Sequence, residues 1–80
     1  MSNLMTFTQV TVEIFKTNVG NQQLANKIIT DLNQLYPEYH INFDLEDCDK
    51  ILRIESHSGI DVLGIINYSN LNNLKISRIN

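Results

Sequence analysis

The one thiol of this chain, Cys48, stands between Asp47 and Asp49. A thiol beside two carboxylates suggests three chemistries: nucleophilic attack, redox sensing or metal binding. The first two need a thiolate, and the negative charges on either side oppose it. A plain turn cysteine is the expectation. A single cysteine also excludes an intramolecular disulfide and any CxxC metal or redox motif. Asp44, Glu46, Asp47 and Asp49 crowd the same stretch, and hard cations such as Ca²⁺ want several oxygen ligands. The EF-hand pattern fails here, because the glycine of its sharp turn and its closing glutamate are both missing. Cys48, Asp47 and Asp49 are the weak metal candidates, and a solvated acidic loop without a cofactor is expected.

His40 and Asp44 are four residues apart, about 13 Å along an extended strand, too far to share one ion even with Glu55 added. His57 has no local partner. Gly20, Gly59 and Gly64 are too widely spaced for a phosphate-cradling loop, and no serine elbow or acid–base pair is recognisable. The expectation is a protein that is not an enzyme.

Charge and length narrow the classes further. Six Lys and Arg against nine Asp and Glu give a net charge of −3 and a pI near 5.1, which argues against a nucleic-acid footprint. Apolar runs such as 62–66 fall far short of the ~20 residues that span a bilayer. The first six residues lack the basic and apolar regions of a secretory signal. A cytoplasmic location with no membrane partner is therefore expected. At 42% hydrophobic, the 80 residues suit one small globular domain, its core running from about residue 8 to residue 79.

The elements that must position these residues follow from periodicity. Residues 8–16 alternate strictly, a half-buried strand with Val10, Val12 and Ile14 on one face and Gln9, Thr11 and Glu13 on the other. The valines and Ile14 are expected toward the core and Glu13 outward. Thr17, Asn18, Gly20 and Asn21 form a turn that offers Asn18 or Asn21 as helix cap. Ala25, Ile28, Ile29, Leu32, Leu35 and Tyr36 then make the apolar stripe of a helix that Pro37 ends. Ile41, Phe43 and Leu45 alternate against His40, Asn42, Asp44 and Glu46. After a short polar connection, residues 51–55 complete a hairpin. Ser58 and Asp61 suggest a variant capping box before a second helix, whose stripe is Ile60, Leu63, Ile66 or Ile65, and Leu71. Asn70 to Asn73 break that helix, and Leu74 and Ile76 begin a last strand. Strand, helix, strand, strand, helix, strand is the order of a split βαβ unit. It predicts an α+β, ferredoxin-like βαββαβ sandwich with two helices on one face of a four-stranded antiparallel sheet, strand order 4-1-3-2.

On these residues the chain resembles the heavy-metal-associated domain and its metal-free relatives. The likeness lies in Val12-Glu13-Ile14-Phe15-Lys16-Thr17 before the first helix, the Ala25 and Ile28 spacing within it, and Ile41-Asn42-Phe43-Asp44-Leu45. Leu52-Arg53-Ile54-Glu55 ahead of Ile60-Asp61 completes it. Metal-carrying members hold soft ions through a CxxC in the first strand–helix loop. Here that loop, residues 17–23, has no thiol, so the resemblance implies the scaffold without the metal. A tendency to dock on other proteins follows by analogy.

The expected function is a small non-enzymatic interaction or regulatory module. It would bind a protein partner or a second copy through the open sheet face or an edge strand. Phe15, Ile51, Arg53 and Ile79 are the expected interface, with cross-strand pairing among Glu13, Arg53 and Glu55. The alternative is an amino-acid sensor of the ACT type. Its ligand carboxylate would meet free N–H groups at the first helix start, near Thr17, Asn18, Gly20 and Asn21. Weak metal binding is the third reading.

Overall fold

The computed structural model describes residues 9–79. Thr8, expected to open the first strand, and the segment 1–6 read for a signal lie outside the described residues. The order is β1 (Thr11–Thr17), α1 (Gln22–Leu35), β2 (His40–Asp44), β3 (Ile51–Ser56), α2 (Val62–Leu71) and β4 (Ile76–Ile79). All strand pairs are antiparallel, in the order β2-β3-β1-β4. This is the expected ferredoxin-like α+β architecture with the expected strand order.

Helix α1 forms as its sequence dictates. Asn21 is extended, and its Oδ1 accepts from Leu24 N at 2.8 Å, which satisfies one of the free amides of the first turn. Ala25, Ile28 and Leu32 form the buried stripe. At the other end Tyr36 N still donates to Leu32 O, and Pro37 permits no further turn. Leu35, placed on the stripe by its spacing, is instead exposed, because the chain leaves the helix there.

The core joins that stripe to Phe15, Leu52 and Ile54 of the central strands, Ile41 of β2, and Val19, Tyr39 and Ile65. Two buried hydroxyls are satisfied locally. Ser69 donates to Ile65 O at 3.0 Å, and Ser56 Oγ accepts from Ser58 N at 3.1 Å.

The faces of β1 are the reverse of the expectation. Phe15 is fully buried, whereas Val10 and Val12 are 47% and 39% exposed. Alternation says which residues share a face, not which face is covered. Register decides the matter: Phe15 sits opposite Leu52 and Glu13 opposite Ile54, so this side of β1 continues the apolar side of β3. An aromatic ring also fills more of the space under the helices than Val12 or Ile14 would. Phe15 is therefore a core residue and not part of an interface. Glu13, expected to face outward with Arg53 and Glu55, lies on the helix side near the edge. It forms a two-pronged pair with Arg78 at 2.7 and 2.8 Å.

Helix α2 departs from its expected stripe as well. Asp61, not Ser58, is the cap, with Oδ1 accepting from Gly64 N at 3.0 Å. Ile60 and Val62 pack against the core and Ile65 is buried, but Leu63 is 73% exposed. Starting the helix at Val62 rather than near Ser58 leaves Ile60 outside it, so the i, i+3 relation to Leu63 that defined the stripe is lost.

The two helices are tied by two hydroxyls. Tyr36 OH donates to Asp61 Oδ2 at 2.9 Å, and Tyr68 OH to Asp31 Oδ2 at 2.7 Å. Tyr36 stacks on Tyr39 with centroids 4.6 Å apart, and Tyr39 OH accepts from Asp61 N at 2.8 Å. Hydrogen bonds from Lys27 and Tyr68 hold the Asp31 carboxyl below its ordinary 3.8. Burial, then the Asp31 contact, pushes the Tyr68 phenol above its ordinary 10.0. Burial and then Asp61 do the same for Tyr36.

The signs give a pH profile. A lowered carboxyl contributes stability that is present above about pH 4 and lost as pH falls through the folded value. Raised phenols leave stability intact below about pH 10. Above it the unfolded chain gives up its protons first and folding weakens. The urea midpoint should therefore hold a plateau between those limits and fall on both sides. Tyr68→Phe should lower the plateau and flatten both flanks, whereas unchanged flanks would show that the Tyr68–Asp31 contact is not formed in solution.

Candidate interaction surface

Both helices lie on one side of the sheet, so its other side is open. Register arranges that open face in rows. His40, Glu55 and Val12 are cross-strand neighbours. Next come Asn42, Arg53, Ile14 and Ile79 across all four strands. Two residues further along each strand lie Asp44, Ile51, Lys16 and Ser77. The β1–β4 half thus carries Val12 and Ile14 along β1 and Ile79, 37% exposed, beside Ile14, with Lys16 and Ser77 beyond them. The β2 half is polar. Isolated exposed apolars are ordinary, but adjacent β-branched residues on one uncovered face are a patch.

Of the four expected interface residues, Ile51, Arg53 and Ile79 lie on this face, and Phe15 does not. Arg53 pairs with Glu55 of its own strand as an ion pair. Val12 and Ile14 take the place of Phe15 in the patch. The strict alternation of the strand groups them on one face, and that face is the open one.

At one corner of the face an open cleft of about 220 Å³ is lined by Lys16, Thr17, Asn18, Lys75, Ile76 and Ser77. Asn18 bridges its two sides: Asn18 N donates to Lys75 O, and the Asn18 side-chain Oδ1 accepts from Lys75 N at 3.1 Å. Thr17 Oγ1 donates to Lys50 O and accepts from Val19 N, which fixes the turn into α1. Thr17 and Asn18, expected in a ligand loop, do line this cleft. Gly20 and Asn21 do not, and Asn21 already spends its side-chain oxygen as the α1 cap.

The acidic turn that joins β2 to β3 reaches the same end of β1, where Asp49 O accepts from Thr17 N at 3.0 Å. Asp44 Oδ1 accepts from Glu46 N and Asp47 N, and Asp47 Oδ1 accepts from Asp49 N at 2.8 Å. These are Asx-type contacts, for which short acidic side chains suit a turn. Cys48 is exposed, and its sulfur and the carboxylates of Asp47 and Asp49 lie within 4.8 Å of one another. Two hard oxygens and one soft sulfur from a single turn match neither the six to eight oxygens Ca²⁺ takes nor the four-ligand shell of structural zinc. His40 and Asp44 sit at opposite ends of β2, and neither they, His57 nor Glu55 join this cluster.

The ion pairs among the described residues use Lys27, Arg53 and Arg78. Lys16 and Lys75 at the cleft, and Asp44, Glu46, Asp47 and Asp49 at the turn, are in none of them. No described helix is long and apolar enough to cross a membrane. No family model, curated protein or solved structure matches the chain.

Proposed function

We propose that this chain is a small non-enzymatic interaction module on a metal-free scaffold like that of the heavy-metal-associated domain, and that it works through the open face of its sheet. One observation carries the reading: Val12, Ile14 and Ile79 form a contiguous apolar patch on a face that neither helix covers. Burying such a patch against another protein removes apolar area from water at roughly 25 cal/mol per Å². The neighbouring Lys16, Arg53, Glu55 and Asp44 on the same face supply charges that set orientation. Fewer observations support the amino-acid sensor, since Gly20 and Asn21 stand outside the cleft that Thr17 and Asn18 line.

Site-specific photo-crosslinking in the cells that make the protein tests the reading. A benzophenone side chain at position 14 should give discrete adducts, and one at Gln23, exposed on α1, should not. Adducts from position 23 alone, or none from position 14, would overturn it.

A further inference from the structure

We infer that the outer edge of β4 is a docking site for an extended, acidic segment of a partner protein, which adds to the sheet beside β4 with its carboxylates at the Lys16–Lys75 cleft. The inference rests on the interaction-module reading above and names a class of partner. Strand β4 stands at the end of the order β2-β3-β1-β4. The pairing of β1 fixes what that edge presents. Thr17 N donates to Asp49 O on the β3 side, and Asn18 N donates to Lys75 O on the β4 side. Main-chain groups of successive strand residues point to opposite sides, so Lys16 and Ile14 are the residues bonded to Ser77 and Ile79. The N–H and C=O of Ile76 and Arg78 then point away from β1. Among the described residues no hydrogen bond engages them on that side. They recur about 7 Å apart, the repeat of an extended partner strand.

Charge decides which strand fits. Lys16 and Lys75 line the cleft at the start of β4 and are in none of the ion pairs among the described residues. Asn18 Oδ1 is engaged by Lys75 N, so the Asn18 amide and the Ser77 hydroxyl are the cleft's other side-chain donors. Among the described residues no carboxylate lines the cleft. Glu13, the acid nearest on β1, is already held by both prongs of Arg78. The acidic turn reaches β1 from the β3 side, so β1 stands between it and the β4 edge, two strand spacings or about 10 Å away. Its charge turns an acidic segment away from that side and toward β4. Two copies of the β4 edge would bring lysines together. That resists self-pairing and leaves the main-chain groups for a segment of opposite sign.

An added strand alternates like its neighbour. On the open-face side its residues fall beside Ile79, Ser77 and Lys75 in turn. An apolar side chain beside Ile79 extends the apolar patch. Acids two and four residues further on meet the Ser77 hydroxyl and the two lysines.

Fluorescence anisotropy with the full chain tests the inference. The probe is a labelled nine-residue peptide of threonines with valine third and glutamates fifth and seventh. It should reach half-saturation below about 1 mM, the weak class that so short an edge supports. Two control peptides should each bind at least about tenfold more weakly. One carries lysines for the glutamates, which reverses the charge. The other is N-methylated at its fourth and sixth residues, which removes the amides that face β4. The double variant Lys16→Glu, Lys75→Glu should prefer the lysine peptide, a gain that misfolding could not give. Lys27→Glu on α1 should change the affinity for the glutamate peptide less than about twofold, because it lies on the other side of the sheet. No half-saturation by about 1 mM overturns the inference, as does N-methylation without effect or a double variant that keeps the original preference. If the peptide fails to bind but position 14 still gives discrete adducts, the edge site falls and the open-face reading stands.

Discussion

Phe15→Ala is expected to destabilise the fold by about 3–5 kcal/mol, the range for removing a fully buried aromatic ring from a core. The ring is 0% exposed and sits against the helix layer beside Leu52 and Ile54. An 80-residue domain has a total stability of only about 4–12 kcal/mol. The variant should therefore be marginal or unfolded at 25 °C, read as loss of the cooperative urea transition. Val12→Ala, one face over and 39% exposed, should cost about 1 kcal/mol or less. The pair tests which side of β1 is core. If Val12→Ala proved the more damaging, the valine face would be the covered one and the open-face patch would not exist.

Gly64→Ala should destabilise, against the usual sign. A helical glycine normally gains about 1 kcal/mol on becoming alanine. Here a Cβ at position 64 would come within 2.1 Å of the Tyr36 hydroxyl and 2.4 Å of Asp61 Oδ2. The tyrosine is held by its stack on Tyr39, and Asp61 by its capping bond to Gly64 N. One of these must give way. Losing the cap costs about 0.5–2 kcal/mol, and losing the Tyr36–Asp61 bond about 1 kcal/mol more. After the propensity gain, a net loss of about 0.5–2 kcal/mol remains, measured as a lower urea midpoint. In a Tyr36→Phe background the penalty should shrink, because the hydroxyl that meets the new methyl is gone. A stabilised Gly64→Ala would mean that the α1–α2 junction contributes nothing.

Several parts of this molecule were legible in the residues alone, for physical reasons that can be named. Helix α1 carries a cap, a three-residue stripe and a proline stop, each an independent local signal, and all three coincide. The hairpin of β2 and β3 alternates with one face apolar and the other polar, so its buried side was unambiguous. Strand β1 carries apolar residues on both faces, Val12 and Ile14 on one and Phe15 on the other. Only its cross-strand register with Leu52 and Ile54 decides between them, and register is not local. Helix α2 begins at an aspartate that also joins two tyrosines of the α1–β2 connection, so its start depends on contacts 22 and 25 residues away. The surface charges were individually visible. That the acidic turn meets Thr17 beside Lys16 and Lys75 follows only from the pairing of β1 between β3 and β4.

The exposed leucines of the helices offer the rival surface. Leu63 and Leu71 lie eight residues apart on α2, with Asn67 and Asn70 between them, and Leu35 stands alone at the end of α1. Scattered residues of this kind need no partner.

Methyl and amide NMR spectra recorded as the glutamate peptide is added decide between the two surfaces most directly. Up to about 1 mM peptide, the concentration range over which a weak interface fills, resonances of Ile14 and Ile79 should shift together. The amides of Ile76 and Arg78 should move with them, and the helix leucines should stay still. Shifts confined to Leu35, Leu63 and Leu71, or spectra that the peptide leaves unchanged, would contradict a sheet that recruits its partner beside β4.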